Sequence, residues 1–539
     1  MKTIFLGKEI SGQFTIPSGI ITTNVKLIER VAKEIPEIGV ITTKSIGPVP
    51  RAGNREPIIT QYAPGSFSNA VGLTNPGSKE FAKQLSKIKI PPDKFLLISI
   101  FGGNENEFIE VAKDLEEYAD AFELNLSCPH AKGFGMAIGQ DPKMVKSIVV
   151  AVKESVKVPI IAKLTPNAPS IAEIAKAAVD GGANGICAIN TVGPGYYTVD
   201  GNPVLTNKKG GLSGKGILPI GLKCVMEICE AVDVPVIACG GICSAQDVRE
   251  YEKVGAKIFG VGSALVGLSM DKMKTYFAEL GKDIYNDTNN AVNFLEKEID
   301  VSFTKYILKE NKKLTDKLSL LTFDKPIEIS SGQFVFTWIP GEGEKPFSVL
   351  DTNPLKLAIQ NVGCLTEKLT NLKENDIVYV RGPYGQKIND TGEKVILVAG
   401  GTGGAAVYQM AKEFKNVEMF FGAKNKDHLY YLDEIEKCCK LNVSTDDGSY
   451  GHKGFVTTLL EEKLKEMTKD ENISFYNCGP EVMVRAVNEI QKKYFPKSKI
   501  FNSIEYVTKC GIGICGNCAD KNGNRICVDG PFVEELKCE

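Results

Sequence analysis

Four cysteines near the C-terminus have a spacing that could hold a metal cluster. They follow the pattern C-x4-C-x2-C-x8-C in CGIGICGNCADKNGNRIC, at Cys510, Cys515, Cys518 and Cys527. A [2Fe–2S] cluster needs four thiolates, and Gly511, Gly513 and Gly516 would relieve crowding and free backbone N–H groups to point at the sulfurs. A zinc site more usually shows two C-x2-C pairs, so the spacing favours iron–sulfur over structural zinc or free thiols.

A single cysteine, Cys128 in ELNLSCPH, directly follows an apolar, strand-like run. Such a residue is ordinarily a small buried hydrophobe. Asn125 precedes it by three residues, and Asn190 and Thr191 end another strand. These amides and this hydroxyl could converge on a planar polar substrate while the thiol handles a proton. His130 could bind a metal, but a chain with three histidines is not expected to build a histidine metal site.

Two lysines and two glycine pairs also stand at strand ends. A lysine at a barrel rim is usually solvated, but Lys44 or Lys163 beside a flavin's N1–O2 edge would stabilise the anionic reduced ring. Gly240–Gly241 and Gly262–Ser263 follow the last two strands, where (β/α)8 barrels commonly bind a phosphate. Together these features predict FMN.

The second half of the chain carries nucleotide-binding signals. GGTGGAA (400–406) after VILVA could bring a helix N-terminus against a pyrophosphate, although alone it is equally typical of a plain strand–helix turn. KPFSVLD and NVGCLTEKL suit a flavin nucleotide, and CGPEVMV is similar to the segment beside the nicotinamide site of ferredoxin-reductase-like proteins. The predicted contacts are Lys345, Pro346, Phe347, Ser348, Gly363, Thr366, Gly400, Gly401, Gly403, Cys478 and Gly479.

The elements that must position these groups follow two patterns. From residue 30 to about 270, apolar runs such as FLLISI alternate with amphipathic segments such as EFIEVAKDLEEYA. About eight strand–helix units predict a closed (β/α)8 barrel, with a doubly wound sheet as the alternative. Polar and glycine residues just after the strands favour the barrel. From about 301 to 390, short β-like runs with frequent turns suit an antiparallel barrel, and 394–414 opens a nucleotide-binding α/β unit.

The fold class is therefore α/β, with an FMN-binding (β/α)8 barrel followed by a ferredoxin-reductase-like module and a small [2Fe–2S] domain. The predicted segments are a barrel at 1–283, a linker at 284–300, an FAD-binding β-barrel at 301–391, an NAD-binding α/β domain at 392–500 and a cluster domain at 501–539.

The length and composition of the chain exclude some classes of function. A chain of 539 residues is too long for one core. A formal charge of -2 offers no basic excess for nucleic acid or acidic lipid, so we expect small-molecule partners. No run of about 18 apolar residues and no signal peptide is evident, which predicts a cytoplasmic protein with no membrane partner. A homodimer through the barrel is also expected.

The motifs resemble, in order, the catalytic and electron-transfer subunits of the NAD-dependent (class 1B) dihydroorotate dehydrogenases, joined in one chain. NAVGLTNPG (69–77), ELNLSCPH, AKLTPN, GGLSG (210–214) and GGI (240–242) match the barrel subunit. KPFSV, VAGGTGG, DDGSYGHKGFVT (446–457), CGP and the cysteine cluster match the flavin–iron–sulfur subunit.

This resemblance implies oxidation of dihydroorotate to orotate in pyrimidine biosynthesis, with electrons passing from FMN through [2Fe–2S] and FAD to NAD. Cys128 would remove the C5 proton while hydride leaves C6 for the flavin N5. The implied substrate contacts are Lys44, Asn69, Gly72, Leu73, Asn125, His130, Asn190 and Thr191. The implied FMN contacts are Ser18, Lys44, Lys163, Gly214, Gly240, Gly241, Gly262 and Ser263.

Some positions depart from the family pattern. His130 stands where the family usually has asparagine, and SCPH with GMAIGQDP (135–142) resembles the barrel domain of dihydropyrimidine dehydrogenase, which acts on uracil and thymine. NAVGLTNPG, with Val71 where the uracil enzymes use a glutamate, follows the dihydroorotate pattern. Lys345 replaces the usual arginine and loses its bidentate fork. The alternatives are a uracil or thymine reductase and, in another class, a diaphorase-like electron-transfer module that serves a partner protein.

Overall fold

The computed structural model describes residues 2–127, 135–296, 299–468 and 472–534. The chain divides into two compact units. The first unit comprises Met1–Ile299 with Ile512–Gly523, and the second comprises Asp300–Gly511 with Asn524–Glu539. The five segment boundaries drawn from the sequence stay predictions.

The first unit alternates strands and helices. Its strands are β1 (Thr3–Phe5), β2 (Lys8–Ile10), β3 (Phe14–Thr15), β4 (Ile38–Thr42), β5 (Ile59–Ala63), β6 (Ser66–Asn69), β7 (Phe95–Ile100), β8 (Ala121–Asn125), β9 (Ile160–Lys163), β10 (Gly185–Ala188), β11 (Val192–Tyr196), β12 (Thr198–Val199), β13 (Asn202–Pro203), β14 (Lys209–Gly214), β15 (Val236–Cys239) and β16 (Ile258–Gly260).

Its helices are α1 (Val25–Glu34), α2 (Ser78–Leu85), α3 (Glu105–Leu115), α4 (Pro142–Ser155), α5 (Ile171–Asp180), α6 (Leu218–Ala231), α7 (Ala245–Lys253) and α8 (Met270–Asn286). Short 3-10 helices lie at Glu116–Tyr118, Gly135–Gln140, Lys215–Ile217, Ser263–Leu265 and Ala291–Phe294.

Eight parallel strands close the barrel, in the order β3, β4, β7, β8, β9, β10, β15 and β16, which confirms the (β/α)8 prediction. Every residue of β7, FLLISI, is buried, as expected for a strand covered on both faces. The helices bury a single stripe. In α3, for example, Phe108, Val111 and Leu115 are buried, and the Asn104 side chain caps the first turn by accepting from Glu107 N.

A four-stranded antiparallel sheet, which the sequence did not predict, adjoins the barrel. Its order is β11, β14, β6, β5, and Asn69 of β6 pairs with Gly211 of β14. The sheet escaped prediction because GGLSG, in β14, is rich in glycine, which is depleted in strands and gives no alternating pattern.

The second unit contains the remaining strands. They are β17 (Thr304–Lys313), β18 (Leu318–Phe323), β19 (Phe334–Ile339), β20 (Gly343–Thr352), β21 (Leu355–Gln360), β22 (Ile377–Tyr384), β23 (Lys394–Gly400), β24 (Val417–Ala423), β25 (Lys440–Thr445), β26 (His452–Lys453), β27 (Ile473–Cys478) and β28 (Lys499–Ser503). Its helices are α9 (Cys364–Thr370), α10 (Gly403–Glu413), α11 (Leu432–Cys438), α12 (Val456–Glu466), α13 (Glu481–Tyr494) and α14 (Ile526–Asp529), with a 3-10 helix at Lys426–His428.

These strands form two sheets. β17, β18, β21, β20, β19 and β22 close an antiparallel barrel, and β26, β25, β24, β23, β27 and β28 form a parallel sheet. Both were predicted. In the parallel sheet β23 and β27 are neighbours, so the segments that follow them leave the same edge. None of the helices in the described ranges is long and apolar enough to cross a membrane.

Candidate functional site

A cavity of about 510 Å³ opens at the C-terminal ends of the barrel strands in the first unit. This volume is typical of small-molecule sites. Its walls come from the ends of β9, β15 and β16, from the segments after β3 and β10, and from β6 and β14 of the antiparallel sheet. The carboxyl ends of the strands are where barrel enzymes assemble their sites.

Nine predicted site residues line this cavity, although they come from six distant segments. They are Ser18, Lys163, Asn190, Thr191, Gly214, Gly240, Gly241, Gly262 and Ser263. They meet because successive parallel strands end on the same side of a barrel. Their convergence is observed, and their individual roles stay predictions.

Other predicted residues do not line the cavity in the part of the chain that the structure describes. Lys44 is buried two residues beyond β4. Asn69 ends β6, and its Nδ2 donates to the Gly211 carbonyl at 3.4 Å. Gly72 and Leu73 turn the chain with φ of 84° and 55°. Cys128 and His130 lie outside the described residues.

Asn125 reaches the cavity through hydrogen bonds. Its Nδ2 donates to Ser45 Oγ at 3.0 Å, and its Oδ1 accepts from Asn190 Nδ2 at 3.3 Å. Ser45 Oγ also lies 3.0 Å from Ser18 Oγ and 2.9 Å from Ser99 Oγ. The network therefore connects two cavity-lining side chains, Ser18 and Asn190, through the barrel interior. Such connected polar groups hold one another in fixed orientations.

Lys163 is the buried cation of the cavity wall. Its Nζ lies 3.7 Å from Glu123 Oε1, and the two side chains are only 5% and 1% exposed. Burial alone would lower the pKa of Lys163, but the Glu123 carboxylate outweighs that effect, so that the pKa is raised. Lys163 therefore keeps its positive charge at neutral pH.

A polar cluster that the sequence did not predict also lies in the cavity wall. Lys215 and Cys243 both line the cavity, and Lys215 Nζ lies 2.6 Å from Asp247 Oδ1. Asp247 Oδ2 accepts from Cys243 N at 3.0 Å and from Cys243 Sγ at 3.2 Å. Burial and the Asp247 charge raise the pKa of Cys243 to about 11. The available signals were that Lys215 directly follows Gly214 and that Cys243 follows the GGI motif.

The residues around this cluster fit an anionic group beside an aromatic one. A Cβ on Gly241, whose φ is +79°, would lie 2.8 Å from Leu218 Cβ, and a Cβ on Gly214 would lie 2.2 Å from the Gly65 carbonyl oxygen. Glycine is therefore required where the backbone approaches closely. Backbone N–H groups, the Ser263 hydroxyl and Lys215 are the donors that a phosphate prefers, and the apolar walls with Lys163 suit a flavin ring.

Two predicted nucleotide-binding turns lie side by side in the second unit. Ala399 of β23 pairs with Cys478 of β27. A Cβ on Gly403 would lie 2.3 Å from the Cys478 carbonyl oxygen, and one on Gly479 would lie 2.9 Å from the backbone nitrogen of Gly400. The glycines thus permit the close approach of the two turns. Open α/β sheets bind nucleotides at this carboxyl edge.

The predicted FAD contacts are placed on two other elements. Lys345, Pro346, Phe347 and Ser348 lie in β20 and pair with β19. Gly363 caps α9. Thr366 Oγ1 accepts from Gly363 N and donates to the Gly363 carbonyl, each at 2.9 Å. That hydroxyl is engaged within its own turn, and contact with FAD stays a prediction.

The predicted cluster ligands are all buried thiols: Cys510, Cys515, Cys518 and Cys527. Gly511, Gly513 and Gly516 have φ of 81°, 75° and 68°, values that suit a tight, glycine-rich loop. Across residues 2–127, 135–296, 299–468 and 472–534, no three His, Cys, Asp or Glu side chains are gathered closely enough to hold a metal ion. Four cysteine thiolates are the ligands that a [2Fe–2S] cluster takes. That these four cysteines bind such a cluster stays a prediction.

Comparison with known families decides the class of the protein. The family model described as dihydroorotate dehydrogenase matches residues 1–283. The chain belongs to the dihydroorotate dehydrogenase family. The model described as oxidoreductase NAD-binding domain matches residues 397–489, which include the β23 and β27 turns. This member of the dihydroorotate dehydrogenase family is therefore an oxidoreductase that also carries an NAD-binding domain.

Individual relatives match the barrel half. A protein from Methanocaldococcus jannaschii named dihydroorotate dehydrogenase B (NAD(+)), catalytic subunit, is 43% identical over 284 residues, which are 52% of this chain and 92% of that protein. The protein of the same name from Pyrococcus horikoshii is 44% identical over 260 residues, 48% of this chain and 84% of that protein. A solved structure of an NADH-dependent reduced ferredoxin-NADP oxidoreductase is 28% identical, and the match covers 42% of this chain and 87% of that chain with a TM-score of 0.38.

Proposed function

We propose that the protein oxidises dihydroorotate to orotate and transfers the electrons to NAD, as a step of pyrimidine biosynthesis. The observation that carries this proposal is the convergence of Ser18, Lys163, Asn190, Thr191 and the glycine turns on one cavity of a dihydroorotate dehydrogenase-family barrel. The NAD-binding domain in the same chain supports NAD as the acceptor. The printed names of the relatives point to the same reaction.

Four cofactors are proposed. FMN would occupy the barrel cavity, FAD would contact β20 and the α9 turn, NAD would bind at the β23 and β27 turns, and the four C-terminal cysteines would hold [2Fe–2S]. When bound, these groups supply the exchange between hydride transfer and single-electron transfer that connects the two substrates.

The chain's own residues would bind the substrate, remove its proton and stabilise the reduced flavin. Asn190 and Thr191 would bind the planar amide of the substrate, with Asn125 fixing the amide plane of Asn190. Cys128 would take the C5 proton as hydride leaves C6, so that dihydroorotate loses one hydride and one proton. Lys163 would face the flavin N1–O2 edge and balance the negative charge that reduction adds there.

Binding and cofactor assays test the proposal. The protein purified without oxygen should contain about one FMN, one FAD and two irons with two labile sulfides per chain. Orotate should perturb the FMN spectrum at lower concentration than uracil or thymine, and NADH should be preferred to NADPH. Tighter binding of uracil would identify a dihydropyrimidine reductase, to which the sequence SCPH also points. Zinc in place of iron would contradict the proposed electron path.

A further inference from the structure

We propose that Glu123 is a positioning residue that holds Lys163 as a charged ammonium against the cavity and thereby sets how strongly the site stabilises a reduced flavin. Glu123 itself does not line the cavity as far as the chain is described. It would therefore act through Lys163 rather than on the ligand. The inference rests on the proposed FMN site and assigns a role to a residue outside it.

Strand register explains how the two side chains meet. Asn125 of β8 pairs with Lys163 of β9, and Glu123 pairs with Ile161. Residues two apart on a strand share a face, so Glu123 and Lys163 both point into the barrel, with Glu123 one layer deeper. The Lys163 side chain reaches back toward that layer and brings its Nζ within 3.7 Å of Glu123 Oε1.

Glu123 is the counter-charge of Lys163, because the other described groups that face Lys163 are neutral or positively charged. Cys187 of β10 pairs directly with Lys163, and its Sγ lies 3.9 Å from Cys239 Sγ of β15. The pKa of Cys187 is raised well above its usual value by its hydrogen bond with Cys239 and by burial, so Cys187 is neutral at pH 7. Lys44, after β4, is another buried lysine at this end of the barrel, and its charge has the same sign. Among these groups, Glu123 supplies the negative charge.

Burying the Glu123–Lys163 ion pair is expected to reduce the stability of the fold. Glu123 Oε1 is buried and has no hydrogen-bond partner among the described residues. A buried carboxylate oxygen without a donor destabilises the fold, and a buried ion pair is often no more stable than apolar residues of the same size. A functional role would explain why the chain contains this buried pair: Glu123 keeps the positive charge of Lys163 at the cavity wall.

Glu123→Gln separates this role from packing, because glutamine has the same size and no charge. Burial of an ammonium without a counter-charge lowers its pKa, by up to about 3–5 units from a reference near 10.4. Lys163 would then titrate within the working pH range. In the wild-type protein it should remain charged to at least about pH 10.

Sulfite affinity provides a measurement that does not depend on turnover. Sulfite adds to an oxidised flavin and leaves negative charge at N1–O2, so its affinity reports a neighbouring cation. The full-length protein is titrated with sulfite at several pH values, and the wild-type and Glu123→Gln dissociation constants are compared as a ratio, which cancels the ionisation of sulfite itself. Lys163→Met, which lacks the ammonium, identifies the absorbance change that belongs to the cavity flavin.

Below the lowered pKa of Lys163, the Glu123→Gln variant should bind sulfite at least as tightly as the wild type. Above that pKa the affinity should fall by roughly tenfold or more, toward that of Lys163→Met, which corresponds to the loss of a nearby unit charge. In the double variant with Lys163→Met this transition should disappear. A ratio that stays constant with pH would overturn the inference. Absence of FMN from the wild-type protein would instead contradict the proposed function.

A conservative variant covers the case in which Glu123→Gln loses flavin. Glu123→Asp keeps the negative charge. If Glu123→Asp retains FMN and its ratio to the wild type stays flat to pH 9, the charge is the required property. If Glu123→Asp also loses FMN, the shape of the side chain matters rather than its charge, and the inference fails.

Discussion

Asn190 Nδ2 donates to Asn125 Oδ1 at 3.3 Å, although 65 residues separate the two amides along the chain. Asn125 ends β8 and Asn190 follows β10, so the bond spans the intervening strand β9. Asn125 also donates to Ser45, which leaves little freedom for either amide plane. The donor and acceptor pattern at this wall of the cavity is therefore fixed before a ligand binds.

Asn125→Ala should weaken orotate binding without removing FMN. The variant removes one predicted substrate contact, and a lost hydrogen bond that leaves its partner unpaired typically costs about 1–3 kcal/mol, or roughly a 5- to 150-fold higher dissociation constant for orotate. Spectral titration with orotate checks this value. The control is Asn104→Ala, which removes the cap of α3 outside the cavity. It should lower the free energy of unfolding by about 0.5–2 kcal/mol and leave orotate binding unchanged.

Lys215→Ala should weaken FMN binding. Its Nζ is held by Asp247 at the cavity wall, beside the Gly214 and Gly240–Gly241 turns, where it can contact a phosphate. A lost charge-assisted hydrogen bond is worth about 1.5–3 kcal/mol, so the dissociation constant of FMN should rise roughly 10- to 150-fold.

Ultrafiltration or fluorescence of released FMN measures this change. Lys223→Ala is the matched control, because Lys223 is 62% exposed, pairs with Glu227 on α6 and does not belong to the described cavity lining. Equal FMN affinity in the two variants would show that Lys215 makes no contact with the phosphate.

Cys128→Ser should slow only the substrate half-reaction. A thiol titrates near pH 8.5 whereas a serine hydroxyl stays protonated throughout the working range, so the serine variant lacks an effective base. Stopped-flow reduction of the flavin by dihydroorotate should fall by roughly 10²–10⁴, with partial recovery at high pH, while reduction by NADH keeps its rate. Loss of FMN or of folding would make Cys128 a packing residue, and wild-type turnover would place the base elsewhere.

Glu344→Gln should destabilise the second unit. Glu344 accepts from Arg381 Nε at 2.8 Å and from Arg381 Nη2 at 2.7 Å, and both side chains are fully buried. Breaking such a pair leaves a buried guanidinium charge and costs about 3–5 kcal/mol. Urea unfolding of the full chain measures the loss.

The control for this variant is Glu481→Gln. Glu481 pairs with Arg485 on the surface of α13, with side chains 51% and 33% exposed. Its removal should change the free energy of unfolding by less than about 1 kcal/mol. Similar losses in both variants would mean that the Arg381 ion pair contributes no more than a surface pair.

Local patterns in the sequence were sufficient to predict much of the fold. Runs such as FLLISI identify strands because both faces of a parallel strand are covered, and their repetition predicts the closed barrel. Lys163 and Asn190 were found because they stand at the ends of such strands. The VILVA run before GGTGG predicted the α/β sheet in the same way.

Features that depend on register or on distant contacts were not predictable. Glu123 and Lys163 meet because β8 and β9 pair with one particular offset, which neither segment encodes alone. Lys215 acquires its place only because β14 joins the sheet beside the cavity. Thr366 was predicted to contact a flavin, but a threonine at the third position of a helix can equally cap its own turn.

The short segment Ile512–Gly523 belongs to the first unit although more than 200 residues of the second unit precede it in the chain. Its carbonyl groups accept from Ile21 N at 2.8 Å, from Gly267 N at 3.0 Å and from Arg30 Nη1 at 2.9 Å. A gene split after Ile299 would therefore yield an amino-terminal polypeptide that lacks part of its own folded unit. Only assembly of the two products would then complete the first unit, with the carboxy-terminal product supplying this segment in trans.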